Sequence, residues 1–395
     1  MVRGVEFMEE AIKTSNGTEL KKRHNLSYNA LRGMAALGIF FSHMSYLKEA
    51  QMPLWSNLYE YFMRHGSVYS SFFYTLSGFL AVYTWKNVNF RDYIAKKLKK
   101  IYPLVFCVLI LAVMLDVMLK GNGIINGEGI APGSGYWWFN IIMGITMLKA
   151  FVPLKSTFYS FHGPSWYMSA LIVFYILAWF IVPRLTDGAN RKRQEIIRTK
   201  IAVVCAFAYV VQAILCFIVD WKDLEDIRLW VTYVNPYFRI FGECFLGMTV
   251  ACCMDRFKLA KNGGGGFAQM AVLSFAFLML LVRSFVSGSI WNAWIYSLPN
   301  VLLLLVFYTD EGKIADILHA KPFQFLGSVS FELYMTHAFV YEGLPIAFGI
   351  LNSKWQEWLI SHAGMRFLIT MVLAIVFARM VKIVFTVAGK LKKSK

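Results

Sequence analysis

The sequence predicts an all-α fold, a polytopic membrane helix bundle of about ten transmembrane helices with both termini cytoplasmic. Three observations predict it. Of 395 residues, 58% are hydrophobic and only 16% charged, and the mean hydropathy of +0.52 is far above what a soluble domain needs. Apolar windows of spanning length recur along the chain. The lysines and arginines behind the net charge of +17 fall between those windows, where they act as topology signals.

Taken in order, residues 1–27 form a cytoplasmic tail: the first 20 positions carry four glutamates and no apolar run, so the first span both targets and anchors the chain. Apolar windows follow at 28–47, 66–85, 101–119, 164–183, 201–219, 237–254, 267–283, 291–309, 323–345 and 366–388, making 28–388 one transmembrane domain before a basic tail, 389–395. The stretch 137–152 is only 16 residues long and opens on Trp137 and Trp138, an interfacial pattern. If it does not cross, the inside segments hold 26 basic residues and the outside segments 8; if it crosses, the counts become 15 and 18. The positive-inside rule selects the first arrangement and makes 120–163 a long outer segment. Between the second and third windows, Phe90, Tyr93, Ile94, Leu98 and Ile101 recur at helical spacing beside Lys96, Lys97, Lys99 and Lys100. That pattern is an amphipathic interfacial helix, suited to anionic lipid or to the phosphates of a soluble anion.

Several function classes lose support. The basic residues separate apolar segments instead of forming a folded basic surface, so no nucleic-acid partner is expected. Cys107, Cys205, Cys216, Cys244, Cys252 and Cys253 lie in or beside apolar stretches without ligand spacing, so neither metal nor disulfides are expected. Gly121, Gly123, Gly127 and Gly129 do not form a dinucleotide fingerprint, Gly263 to Gly266 reads as a flexible inner loop, and neither a Walker A sequence nor a G-x-S-x-G elbow is present.

The candidate site is built from polar residues that hydrocarbon should not tolerate. Arg32 and His43 are 11 positions apart, roughly three full turns, and therefore share a helix face about 16 Å apart along it. Arg32 lies about a turn from the cytoplasmic surface and His43 deep in the outer half. Arg239 and Glu243 near the outer end of the sixth window, His337 in the outer half of the ninth, and His162 just before the fourth converge on the same outer half. Such groups normally line a bundle interior or a water-filled cavity. Blander roles stay open: a snorkelling Arg32, an Arg239–Glu243 pair that only locks helices, a hydrogen-bonded core His337. Arg366, Arg379 and Lys382 read as interfacial.

The chain resembles the integral-membrane acyltransferases of family 3, a large bacterial group that attaches acyl groups to extracytoplasmic acceptors. The resemblance rests on Arg32-x10-His43, SFFYTLSGFL (71–80), KKLKKIYP (96–103), PSWYMSALIVFY (164–175) and LGSVSFELYMTH (326–337), in order along nearly the whole chain. Two departures stand out. Lys97 and Lys100 occupy the places of the family's R-x-x-R, which keeps charge but loses bidentate phosphate geometry. Ala170, Leu171 and Ile172 follow the PSWYMS stretch where many members carry a glutamate, so that role is either missing here or left to Glu243.

The resemblance implies a donor of acyl-CoA, usually acetyl-CoA, entering from the cytoplasm, no permanently bound cofactor, and a glycan or lipid-linked sugar accepting the acyl group outside a bacterial plasma membrane. In that reading His43 is the general base, or a transient acyl carrier, and Arg32, Lys97 and Lys100 hold the donor. His337, Arg239 or a backbone N–H stabilises the oxyanion, and His162, Trp166 and Glu243 complete the acceptor side, Trp166 and Tyr167 otherwise being interfacial aromatics. Against it stand a transporter or flippase of an envelope glycan precursor, which carries a charged cavity without chemistry, and a scaffold for wall assembly.

Overall fold

The computed structural model describes residues 25–50, 52–118, 130–186, 191–254 and 265–391, with no strand among the described residues. The tail before Asn25, the glycines at 121, 123, 127 and 129, the first two glycines of 263–266 and the last four residues of the basic tail lie outside them. The bundle is carried by α1 (Leu26–Ser42), α2 (Gly66–Tyr83), α3 (Phe90–Met118), α4 (Gly135–Thr146), α5 (Trp166–Thr186), α6 (Arg191–Trp221) and α7 (Phe245–Cys253). It continues with α8 (Gly265–Phe285), α9 (Ser297–Val306), α10 (Lys321–Leu351) and α11 (Ala363–Leu391).

Among the described residues, six segments are long and apolar enough to cross a membrane: α3, α5 with its leading turn, α6, α8, Ser289–Val306 and Ala363–Gly389. In α6, α8 and Ala363–Gly389 only 22%, 11% and 22% of the apolar window is buried, as helices facing lipid require. The windows at 28–47, 66–85, 237–254 and 323–345 do not meet the same standard. They carry Arg32; Ser70, Ser71 and Thr75; Arg239 and Glu243; and Glu332, His337 and Glu342. Their helices form the interior, where such groups find partners.

Two close helix crossings hold that interior together. A side chain at Gly33 of α1 would overlap the backbone of Leu326 and Gly327 on α10, and one at Gly327 would overlap Asn29. The second crossing joins α2 to the segment before and within α7: Gly78 lies against the Cys244 carbonyl, and Gly247 against the Thr75 carbonyl. Small residues let membrane helices approach until backbone meets backbone, gaining dispersion contacts that lipid cannot supply. The start of α1 is pinned as well. Asn25 caps it by accepting from Tyr28 N at 2.7 Å, and the Asp310 carboxylate accepts from Leu26 N and Ser27 N at 2.9 and 2.8 Å while bonding His319 at 2.9 Å.

Two expectations change form. Residues 90–101 are no separate interfacial helix: they are the first turns of α3, which runs unbroken through Pro103 into the membrane segment. The sixth window is not one α-helix either, since Phe238–Cys244 is π-helical and only then becomes α7, which gives room to the Arg239–Glu243 pair. Helix α4 has 12 residues, about 18 Å of rise, short of the ~30 Å hydrocarbon core.

Replacing Gly33 or Gly327 by leucine should therefore separate α1 from α10 and lower stability by at least the ~1–3 kcal/mol of overpacking. Gly343→Ala on the same α10, where no atom lies within 4 Å of the added Cβ, should be neutral or stabilising. Thermal unfolding of the detergent-solubilised proteins by fluorescence-detected size exclusion checks this; equal melting of Gly33→Leu and wild type contradicts the crossing.

Candidate active site

Arg32 and His43 both face α10. The Arg32 Nε donates to Ser330 Oγ at 3.0 Å, and Nη2 donates to Gly327 O and Asn29 Oδ1, each at 2.9 Å. Eleven residues later the His43 ring stacks on Tyr341, 11 residues beyond Ser330, with centroids 5.8 Å apart and planes inclined by 18°. The two helices thus run parallel in a fixed register from Arg32 to His43, over about 16 Å. Arg32 does not snorkel: two of its nitrogens are bound to the α10 wall or its own helix, leaving Nη1 out of these bonds.

Around Arg32 opens a cavity of about 1320 Å³, larger than most small-ligand pockets. Its charged lining is Arg32, Lys97, Lys99, Lys100 and Lys382 against one carboxylate, Glu332. Lys97 rests over the Tyr175 ring at 4.2 Å, and Lys382 donates to Ser328 O. Cations concentrated in a partly enclosed, low-dielectric space attract a polyanion. Lys382, expected at the interface, instead turns from α11 into this cavity, because the carbonyl of Ser328 and the Glu332 charge give its ammonium partners there. Toward His43 the cavity ends on Phe73, Tyr167 and Tyr334, whose rings lie 5.4 to 6.4 Å from one another.

Beyond that aromatic floor is a histidine pair. His43 and His337 have ring centroids 4.9 Å apart, His43 exposed and His337 wholly buried. His337 Nδ1 lies 2.7 Å from Tyr334 O and 3.3 Å from Leu333 O. Carbonyl oxygens only accept, so Nδ1 carries the proton and Nε2 of the neutral ring is a bare acceptor. That Nε2 is buried with no partner among the described residues.

His162 reaches the same part of α10, its ring stacked on Phe339 at 5.6 Å. Its position depends on Lys149, a buried lysine that sequence reasoning missed: Nζ donates to His162 O at 2.7 Å and Ser160 O at 3.0 Å. Burial pushes the Lys149 ammonium down to about 7, and burial, with the Lys149 charge adding, holds the His162 imidazole well below its ordinary value. Arg239 and Glu243 stand apart from the histidines and the cavity. Arg239 Nη1 donates to Glu243 at 2.6 Å and its other nitrogens to Tyr233 O, both side chains are almost fully buried, and the guanidinium lies 5.5 Å from the Tyr74 ring. Tyr74 in turn donates to Tyr167 O at 3.1 Å, so the pair braces the cavity wall from behind. Trp166, at the start of α5, packs beside Phe158 and Val234, and its ring meets Tyr167 edge-on at 6.4 Å.

A multi-pass membrane protein, all-helical among the described residues, with a cation-lined cavity and two adjacent imidazoles has the makings of an enzyme handling an anionic substrate. The family model of the acyltransferase domain, family 3, matches residues 25–379, and the chain belongs to that family; it is a membrane acyltransferase. Comparison with curated proteins and with solved structures gave no match.

The Lys149 clamp has a pH signature. Between pH 7 and about 10 an unfolded lysine keeps its proton while the folded Lys149 has lost it, so folding stability rises with pH by at most about 1.4 kcal/mol per unit. Relative to Lys149→Met, wild type should gain stability over that window and show no further relative change below pH 7. A difference in melting temperature that is flat from pH 7 to 9 contradicts the assignment.

Proposed function

We propose that this acyltransferase is an O-acyltransferase, in the first instance an O-acetyltransferase. It takes the acyl group from cytoplasmic acyl-CoA and delivers it to a hydroxyl of an extracytoplasmic glycan or lipid-linked sugar. The reading places ten spans and both termini as the basic-residue distribution does, in a bacterial plasma membrane. The observation that carries it is the shared register of α1 and α10, which joins a cavity suited to a polyanion at Arg32 to an imidazole pair at His43.

In this reading the CoA phosphates rest among Lys97, Lys99, Lys100 and Lys382, and the pantetheine arm follows α1 past Arg32 toward the floor formed by Tyr334 and its neighbours. The acceptor hydroxyl arrives at His43 from the other side. His43 takes its proton as the oxygen attacks the thioester carbonyl. The tetrahedral intermediate collapses, the C–S bond breaks, and the thiolate of CoA recovers the proton from the His43 imidazolium. The products are ester and free CoA, and no ATP is needed. His337, with Nδ1–H held by Tyr334 O, serves by accepting: its Nε2 orients an N–H of His43, which leaves the other His43 nitrogen as the base. The oxyanion contact then falls to a backbone N–H, since neutral His337 has no proton to offer and Arg239 is committed to Glu243 and Tyr233.

In lipid nanodiscs the protein should release CoA from radiolabelled acetyl-CoA or pass label to an extract of envelope glycans. His43→Gln should lower turnover by about 10²–10⁴-fold, the usual worth of general base catalysis. Arg32→Gln should raise the donor KM by about tenfold or more, the loss of one charge-assisted contact, with a smaller change in kcat. Failure of wild type to consume acetyl-CoA or longer acyl-CoAs, together with movement of labelled glycan precursor across proteoliposomes, overturns the proposal in favour of a transporter.

A further inference from the structure

Helix α10 does not end its part in the site at His337. One turn later come Tyr341 and Glu342, ahead of Pro345. The Tyr341 ring lies nearly parallel to both imidazoles, 5.8 Å from His43 at 18° and 6.4 Å from His337 at 26°. Its hydroxyl donates to Glu342 Oε1 at 2.7 Å. Glu342 is only partly buried, and among the described residues that hydrogen bond is its one polar contact and no cation pairs with it.

A carboxylate offers about four lone-pair sites and no donor, so Glu342 keeps most of its accepting capacity unused. Partial desolvation of such a group without a compensating cation is costly unless something donates to it. What would donate is limited by charge. An anion brought against an unpaired carboxylate in a low-dielectric setting is repelled, while neutral hydroxyl groups satisfy it. The two ends of the site therefore differ: five cations around Glu332 at the Arg32 end, and at the other an exposed imidazole stacked on Tyr341, whose hydroxyl holds a carboxylate that no cation pairs with.

We infer that Tyr341 and Glu342 form the acceptor subsite and select a neutral, hydroxyl-rich molecule over an anionic one. The reacting hydroxyl lies at His43, a neighbouring hydroxyl donates to Glu342, and Tyr341 both holds the carboxylate and walls the ring of the acceptor. This deepens the proposed acyl transfer and rests on it.

The test uses two glycosides that differ by one carboxylate, methyl β-glucopyranoside and methyl β-glucuronide, added to the full-length protein in nanodiscs with acetyl-CoA. Wild type should release CoA faster with the glucoside than with the glucuronide. Glu342→Gln should raise the glucoside KM at least tenfold while the acetyl-CoA KM stays at its wild-type value, and should narrow the gap between the two glycosides. Tyr341→Phe, which frees the carboxylate to move, should raise the glucoside KM by a smaller factor. Glu357→Gln, an exposed glutamate after α10, should match wild type throughout and controls for handling. An unchanged glucoside KM in Glu342→Gln, a preference for the glucuronide in wild type, or no stimulation by either glycoside while His43-dependent CoA release persists each overturns the subsite and leaves the acyltransferase reading standing. Absence of His43-dependent CoA release in wild type overturns the reading beneath it instead.

Discussion

The close contact of Gly33 with Gly327 is the constraint on which the rest of the site depends. Backbone-to-backbone approach there fixes the distance and register between α1 and α10. With the register fixed, one 11-residue step on each helix carries both members of a pair: Arg32 meets Ser330, and His43 meets Tyr341. A looser crossing would leave the Arg32 guanidinium without Gly327 O and let the imidazoles of His43 and His337 drift apart. Because membrane helices gain little from burying apolar surface against one another, it is small residues and interhelical hydrogen bonds that supply such precision.

That crossing also accounts for where charge is tolerated. Helices α1, α2 and α10 and the segment leading into α7 carry polar groups inside the bundle, while α6, α8 and α11 leave most of their apolar windows facing outward. Inside the bundle the protein separates two electrostatic environments along one track. The Arg32 end gathers lysines from α3 and α11, two helices distant in sequence, and the His43 end holds imidazoles, Tyr341 and one carboxylate. The aromatic floor of Phe73, Tyr167 and Tyr334 lies between them, braced from behind by Tyr74 and the Arg239–Glu243 pair. In the proposed transfer, the acyl group passes that floor on its way to His43.

Much of this was legible in the sequence, and the exceptions have physical reasons. The shared face of Arg32 and His43 follows from helical geometry alone and needs no knowledge of a partner. Lys97 and Lys100 were legible because they are clustered. Lys382 was not, because a single lysine near a helix end has the same local pattern whether it turns to lipid headgroups or inward; only Ser328 O and Glu332 on a distant helix decide it. Tyr341 and Glu342 resemble an ordinary interfacial Tyr-Glu step until the stacking on His43 is seen. Arg239 and Glu243 show the opposite case: their i,i+4 spacing correctly announces a pair, but spacing does not say that Tyr233 and Tyr74 enclose it away from the cavity. Lys149 carries no sequence signal, since its role comes from the carbonyls of Ser160 and His162.

The most direct test of the central claim, that one track along α1 and α10 leads an acyl donor from the lysine-lined cavity to His43, is a cryo-electron microscopy map of the nanodisc-embedded protein with a non-hydrolysable acetyl-CoA thioether. The account predicts phosphate density among Lys97, Lys99, Lys100 and Lys382, an extended arm passing Arg32, and the acyl end at the floor formed by Phe73, Tyr167 and Tyr334 or displaced through it against His43. Density bound on the His43 side, or outside the bundle with the cavity empty, would contradict it.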